Sequence, residues 1–470
     1  MCPVETLSHD SPVEELSHKE NIMRINRNIS AVISNDHLLR NENSLAASVE
    51  RLSSGLKINH AKDNPTGIAI SIKMKNQIEG IKKASDNAGN GSSALTTADG
   101  AMNEMSSILQ RMRELSVQAA NQTNTESDKA NIQEEISSLT EEIDRISTDT
   151  EFNTKGLLNG TLNKRAYTSD NYATVLDTTD VPKGTYSITN ITKATQASAS
   201  AFNVGSDQVI SINGIERAIG ASDTADEVAS KLNSLAESAG VSINFTASAG
   251  SASISSVTSI EYGSSVTLDV KVDGNYAGST GTVRGTDVTF TCDQTSYFTG
   301  KESVSADGQR AVIRRQDGFE MVVELGDKVS QSVNITATDI GAMYLQIGSN
   351  ENQGVEVEIP DLSAHALGID QLNVVSEPGA DRAITKLDEA IDRLSSVRAS
   401  LGAYMNRMDY TTNNLATTEE NMTASVSRLE DVDMAQEMTT YTNMNILVQA
   451  ATSVLAQANE LPDQALQMLR

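Results

Sequence analysis

Residues 384–429 read ITKLDEAIDRLSSVRASLGAYMNRMDYTTNNLATTEENMTASVSRL. Leu387, Leu394, Leu401, Met408, Leu415, Met422 and Leu429 recur at every seventh position. Ile384, Ile391, Met405 and Val426 make a companion seam, interrupted by Arg398, Thr412 and Glu419. Seven residues are close to two helical turns, so the repeat lays one apolar stripe along a single long helix and predicts a rod-core seam buried against partner helices.

C-terminal to this stretch the chain becomes apolar and almost uncharged. Ile446, Leu447, Val454, Leu455, Leu466 and Leu469 fall within a segment that some other surface must cover. The N-terminal end is helical too. Leu45, Val49 and Leu52 share one helix face, Gly55 interrupts, and Asn64-Pro65 marks a turn before the next helix. From there Ile78, Ile81, Ser85, Ala88, Ser92 and Leu95 form a seam with small knobs. A slip of phase is expected near Ala98, before Met102, Met105, Leu109 and Met112 resume it. Residues 121–124 break the pattern, and Ile132, Ile136, Leu139, Ile143 and Ile146 start a second helix. The expected fold is mainly α, a core of long antiparallel helices in a coiled-coil bundle formed by both chain termini.

The middle, residues 163–342, is rich in Ser, Thr, Gly and Val and reads as an inserted β-rich outer domain. Val266, Leu268, Val270 and Val272 alternate as one strand before Asp273-Gly274, and Asp317-Gly318 sits between two strand-like runs as a hairpin turn. Thr224 and Glu227 form a capping box for a helix whose stripe is Ala225, Val228, Leu232 and Leu235; with Val209–Gly214 before it, a β-β-α unit is expected. After the insert, Leu345/Ile347 and Val355/Val357/Ile359 suggest one more hairpin.

Composition excludes several functions. Aromatic residues are 3% of the 470, with no Trp, and the formal net charge is −27. Such an acidic chain opposes nucleic-acid binding, which draws on Lys and Arg. No apolar run reaches the roughly 20 residues of a membrane span, and no cleavable secretory signal is visible. Cys2 and Cys292 are too few for a disulfide framework and read as isolated thiols. His9, His18, His37, His60 and His365 are isolated, no metal motif or cofactor loop is present, and Gly89-Asn90-Gly91 reads as a soft spot in the helical seam. No acid/base pair is selected, so no enzyme, cofactor or metal site is expected. Residues 1–22 read as a disordered leader. Because Lys19-Glu20 can be encoded by a ribosome-binding sequence just ahead of Met23, a mis-assigned start is the sharper expectation, which an intact mass would decide.

Six stretches then carry a resemblance: MRINRNISA from Met23, RLSSGLKINHAKDNPTGIAIS from Arg51, DGAMNEMSSILQRMRELSVQAANQTN from Asp99, EIDRISTDTEFNTKGLLNG from Glu142, LGAYMNRMDYTTNNLATTEENMTASVSRLEDVDMAQEM from Leu401 and QAATSVLAQANELPDQALQMLR from Gln449. Together they resemble bacterial flagellin over residues 23–162 and about 343–470. The resemblance implies inner-core helices at 23–66 and 430–470, the two parts of a helical rod at 67–162 and 343–429, and a variable insert at 163–342, here placed between LLNG and the hairpin that often follows it directly. It implies a homopolymer forming the extracellular flagellar filament for motility. It further implies export without a cleaved signal peptide, an export chaperone on the C-terminal apolar segment, contact with filament cap and hook-junction proteins, and recognition by a host Toll-like receptor. The receptor positions map onto Arg111, Leu115 and Glu135; the plainer expectation is a seam role for Leu115 and an ion pair between subunits for Arg111 and Glu135. The alternative reading is a hook–filament junction protein.

Overall fold

The computed structural model describes residues 28–278, 281–294 and 296–468, with side-chain surroundings through residue 461. Expectations about residues 1–22, Cys2, Met23, Leu466 and Leu469 lie outside this range. The helices are α1 (Ile29–Ser54), α2 (Pro65–Ala119), α3 (Glu126–Asp149), α4 (Ala225–Ala239), α5 (Ala364–Leu367), α6 (Glu377–Glu430) and α7 (Met434–Met468). The chain divides into two compact units, one containing the residues up to Glu79 and from Glu419, the other Gly80–Thr418.

Helix ends follow local chemistry. Asn28 caps α1 by accepting the Ala31 N–H at 3.0 Å, well ahead of Leu45, the first residue of the face read from the sequence. The helix stops at Gly55, whose φ of 72° suits a residue without Cβ. Pro65 opens α2 at the first helical position, where its missing N–H costs nothing. Thr125 with Asp128 and Thr224 with Glu227 form reciprocal capping boxes for α3 and α4.

In the larger unit, α2, α3 and α6 bury one core. Leu387, Leu394, Leu401 and Met408 are fully buried, while Leu415 of the same stripe is half-buried. The companion positions are filled differently from the expectation: Ala383 and Ala390 are buried, and Ile384 and Ile391 only half-buried. On α2 there is no slip of phase. Ile81, Ala84, Ala88, Gly91, Leu95, Ala98, Met102, Met105, Leu109 and Met112 are buried in unbroken alternation of three and four. Ala84 and Gly91 take the places expected for Ser85 and Ser92. The small residues admit the hairpin of Met343–Gln346 and Gly354–Val357, because Leu345 packs where a Cβ on Gly91 would stand, at 2.6 Å. Gly91 is therefore a packing site inside a continuous helix, while Gly89 and Asn90 are exposed.

The insert leaves and rejoins the rod at one neck. Arg165 donates to Ile340 O at 2.8 Å, Thr338 to Arg165 O at 3.1 Å and Ile359 to Leu162 O at 3.3 Å. Gly341 (φ 127°) is required there, since a Cβ would come within 2.0 Å of Asn163 O. Beyond the neck, two four-stranded antiparallel sheets close over one core. The first runs Thr289–Cys292, Gly184–Thr192, Ser332–Ala337, Ala166–Thr168; the second runs Ser303–Asp307, Arg310–Arg314, Glu320–Leu325, Ala173–Thr179. The hairpin around Gly318 is present, but only Gly318 has positive φ, at 97°, and the Asp317 carboxylate is bound by the Arg315 side chain.

The β-β-α unit is present as Gln208–Ile212, Ile215–Ile219 and α4. Val228, Leu232 and Leu235 are buried; Ala225, expected in that stripe, is exposed, and Ala239 closes it. The alternation at Val266–Val272 is two strands, not one. Thr267–Leu268 pairs with Val283–Arg284, and Val270–Val272 pairs with Gln208–Ile212. The chain changes sheet at Asp269, whose N–H is taken by the Asn213 side chain at 3.0 Å.

Candidate assembly surface

The smaller unit is a helix pair with little interior. Helix α1 runs antiparallel to α7, and three contacts along its length fix the register. The Asn28 amide donates to Ala458 O at 2.7 Å, the Ser48 hydroxyl to the Glu437 carboxylate at 2.6 Å, and Val432 N–H to Gly55 O at 3.0 Å. At the α6–α7 junction Glu430 receives Lys75 at 2.5 Å and the Ser71 hydroxyl. Burial pushes the Glu430 carboxyl up, but these two donors together hold it below the usual carboxylate range.

Among the described residues of this unit, the buried hydrophobic side chains are Ile58, Ile78, Val426 and Ala458. Large apolar side chains face solvent instead: Val32 is 68% exposed, Ile33 53%, Ile446 58%, Val454 52% and Leu461 54%. Leu455, Met422 and Leu429 are half-buried. The face read from Leu45, Val49 and Leu52 is not the buried one. Val49 is exposed, the other two are half-buried, and Ser48 lies in the contact with α7. Sequence reasoning found the uncovered residues of α7 but missed those at the start of α1, Val32 and Ile33 among them.

Arg111 and Glu135 pair with each other within the chain, Nη2 to Oε1 at 2.8 Å across α2 and α3. Both are exposed, and the Arg111 guanidinium is held above its ordinary value by the hydrogen bond and charge of Glu135. Leu115 is buried in the rod core. Two of the described histidines have acidic neighbours. His60 lies 2.8 Å from Glu50, and His365 lies 3.3 Å from Glu324 and 3.2 Å from Asp370. No group of three or more His, Cys, Asp and Glu stands at metal-binding distance among the described residues. Cys292 is a free, half-buried thiol, which burial pushes up to about 11. No helix among the described residues is long and apolar enough to cross a membrane.

The arrangement offers contact surface: a helix pair with apolar side chains facing outward. Comparison with known proteins agrees. The bacterial flagellin N-terminal helical region matches residues 25–163, and the bacterial flagellin C-terminal helical region matches residues 384–469. A flagellin from Clostridium tyrobutyricum is 34% identical over 441 residues, covering 93% of this chain and 99% of its own. Flagellin A from Vibrio anguillarum is 32% identical over 450 residues, covering 95% and 99%. Among solved structures, flagellar hook associated protein-3 from Legionella pneumophila shows 14% identity and a TM-score of 0.30 over 76% of this chain and 98% of that one, too low to equate the folds. With both terminal helical regions matched and relatives aligned over nearly their whole length, the chain belongs to the bacterial flagellin family, as a subunit of the flagellar filament.

Proposed function

We propose that this subunit polymerises by replacing solvent on the outer faces of α1 and α7 with contacts to neighbouring copies. One observation carries the reading: Val32, Ile33, Ile446, Val454 and Leu461 are more than half exposed in a unit that buries few hydrophobic side chains of its own. Fully covering a side chain of this size is worth about 1.5–3 kcal/mol, so several half-exposed ones per copy supply a substantial driving force. The net charge of −27 opposes association, and salt screens that repulsion over about 10 Å at 0.1 M. Contacts that repeat head-to-tail without closing produce a helical filament rather than a ring. A helix pair so poorly covered is marginal alone, so its final ordering accompanies assembly.

Electron microscopy of salt-induced assembly tests this. The chain lacking residues 430–470 is expected to stay folded in its rod and insert but form no filaments, and the double variant Ile446→Asp, Val454→Asp should behave likewise. Normal filaments from either would defeat the proposal.

The same uncovered α7 face is the feature an export chaperone would shield before secretion, alongside cap and hook-junction partners at the filament ends. For the host Toll-like receptor, the exposed Arg111–Glu135 pair is the accessible part of the expected site. Leu115, being buried, would act by shaping the rod beneath it. Loss of receptor signalling in Arg111→Ala with assembly intact would support that assignment; unchanged signalling would remove it.

A further inference from the structure

The insert has two lobes, each with its own apolar core. The second lobe is built on the β-β-α unit and the strands Val241–Ser248 and Ser251–Tyr262. The chain enters and leaves it side by side, Thr195 N–H donating to Thr286 O at 2.9 Å and Thr286 N–H to Thr195 O at 3.1 Å. The contacts that hold this lobe to the rod are mostly charged. Arg217 donates to Glu126 at the start of α3, Nη1 to Oε2 at 2.8 Å. Glu261 meets Arg382 at 2.6 Å and Lys386 at 3.5 Å, both on α6. Among the described rod residues, Val375 is the one that enters the lobe's core; its neighbour Val374 is buried in the rod core instead.

The first lobe is held differently. Asp177 and Arg393 are 3% and 11% exposed, and Lys164 and Glu358, 2.5 Å apart beside the neck, are 13% and 12% exposed. The side chains that pair the second lobe with the rod are 17–40% exposed.

We infer that the second lobe is a salt-released arm. At low ionic strength it is docked on α3 and α6; at high ionic strength it swings off the rod about the Thr195–Thr286 waist while the first lobe stays in place. Salt shortens the reach of charge from about 10 Å at 0.1 M to about 3 Å at 1 M, and it weakens exposed pairs far more than buried ones. The pairs of the second lobe are therefore the ones it loosens. One buried valine is then left, a small share of what a stable interface buries. The lobe survives release because its core is closed on itself: Ile210, Ile212, Val228, Leu232, Ile254 and Val257 are fully buried within it. Besides the two strands, the waist is tied by exposed hydrogen bonds, Ser264 N–H to Asp287 at 2.7 Å, Ser265 to Asp307 at 2.9 Å and Tyr262 to Asp327, which a rotation can exchange for water.

The motion belongs to one subunit, so it is tested on monomers, by single-molecule energy transfer with the full chain at picomolar concentration. Cys2→Ser and Cys292→Ser remove the native thiols, and Ser138→Cys on α3 with Ser230→Cys on α4 carry the dyes on exposed positions. One narrow population is expected at 0.05 M salt. A second, more distant population should rise about fivefold or more in share by 1 M, and Arg217→Ala with Arg382→Ala should produce it already at 0.05 M. A control pair on the first lobe, Ser138→Cys with Thr174→Cys, is expected to keep one value throughout. An unchanged single population in salt and in the double variant would overturn the inference. Equal movement of the control pair would overturn it too, by placing the pivot at the neck. So would loss of hydrogen-exchange protection in Val241–Ser248 and Ser251–Tyr262 on release, by showing that the lobe melts instead of swinging.

Discussion

The Ser48 hydroxyl donates to the Glu437 carboxylate at 2.6 Å across the α1–α7 pair, and both side chains are buried. Arg51 stands 3.6 Å from the same carboxylate. A polar contact at the heart of an apolar-poor helix pair does more for register than for net stability, because sliding either helix would leave a buried carboxylate without its donors. Ser48→Ala removes the closer donor. It is expected to cost about 1.5 kcal/mol locally, read as roughly tenfold faster hydrogen exchange of the α1 amides. Unchanged exchange would mean that the helix pair is held by other contacts.

Two glycines in α2 should respond in opposite directions. A Cβ on Gly89 meets nothing within 4 Å, so Gly89→Ala gains helix propensity without a clash. It should stabilise the rod by about 0.5–1 kcal/mol. A Cβ on Gly91 would sit 2.6 Å from Leu345 Cδ1, so Gly91→Val must push the hairpin off the helix. The expected cost is about 1–3 kcal/mol, partly restored by adding Leu345→Ala. Denaturant titration of the three variants against the native chain gives the comparison, and a stabilising Gly91→Val would contradict the packing described.

These glycines also show what the sequence could and could not reveal. A seven-residue repeat with Leu and Met at its points is a strong periodic signal, and it located α6 and the Met102–Met112 part of α2. Where the seam is built of Ala84, Ala88, Gly91 and Ala98, hydrophobicity no longer distinguishes core from surface, and the phase was misjudged. Val266–Val272 failed for a different reason. Alternation reports which side of a strand is covered, not which sheet covers it, so the crossing at Asp269 left no trace. Arg393 and Asp177 are 216 residues apart, and no spacing rule joins them. The uncovered start of α1 leaves no trace in the sequence because exposure is a property of what surrounds Val32 and Ile33 in the fold, not of their spacing.

That distant pair anchors the insert to the rod. Arg393 of α6 reaches Asp177 at 2.7 Å and Glu320 at 3.9 Å, both in the insert, and Arg382 and Lys386 of α6 reach Glu261 at 2.6 and 3.5 Å. Burial raises the Asp177 carboxyl above its ordinary range even though Arg393 pulls it back down. Removing Arg393 leaves that buried carboxyl hydrogen-bonded to the neutral Asn163 and Thr179. Arg393→Ala should therefore cost about 3–5 kcal/mol, more than an exposed ion pair could. Adding Asp177→Asn should recover part of the loss, because the amide oxygen still accepts from Asn163 without burying a charge. Strict additivity of the two substitutions in a double-mutant cycle would rule out direct coupling.

The second anchor depends on pH. Arg310, in the strand Arg310–Arg314, donates to Ala366 O and to His365 O at the end of α5, and burial lowers its guanidinium to about 10, still charged at neutral pH. The His365 ring faces Asp370 on its own segment and Glu324 from the insert. The Asp370 hydrogen bond raises its protonation above the ordinary 6.5, burial opposes this, and the Glu324 charge adds to the rise. A raised folded-state value means that protonated His365 favours the folded, docked form. Its contribution is complete below 6.5 and disappears as pH climbs through the higher folded value. The melting-temperature difference between the native chain and His365→Gln should be positive near pH 6 and fall towards zero as the pH rises through the raised folded-state value. The ring is 55% exposed, so the difference should also shrink in high salt. A difference that held constant from acid to alkaline pH would show that His365 stabilises by packing alone, and that no ionic bond through it ties the insert to the rod.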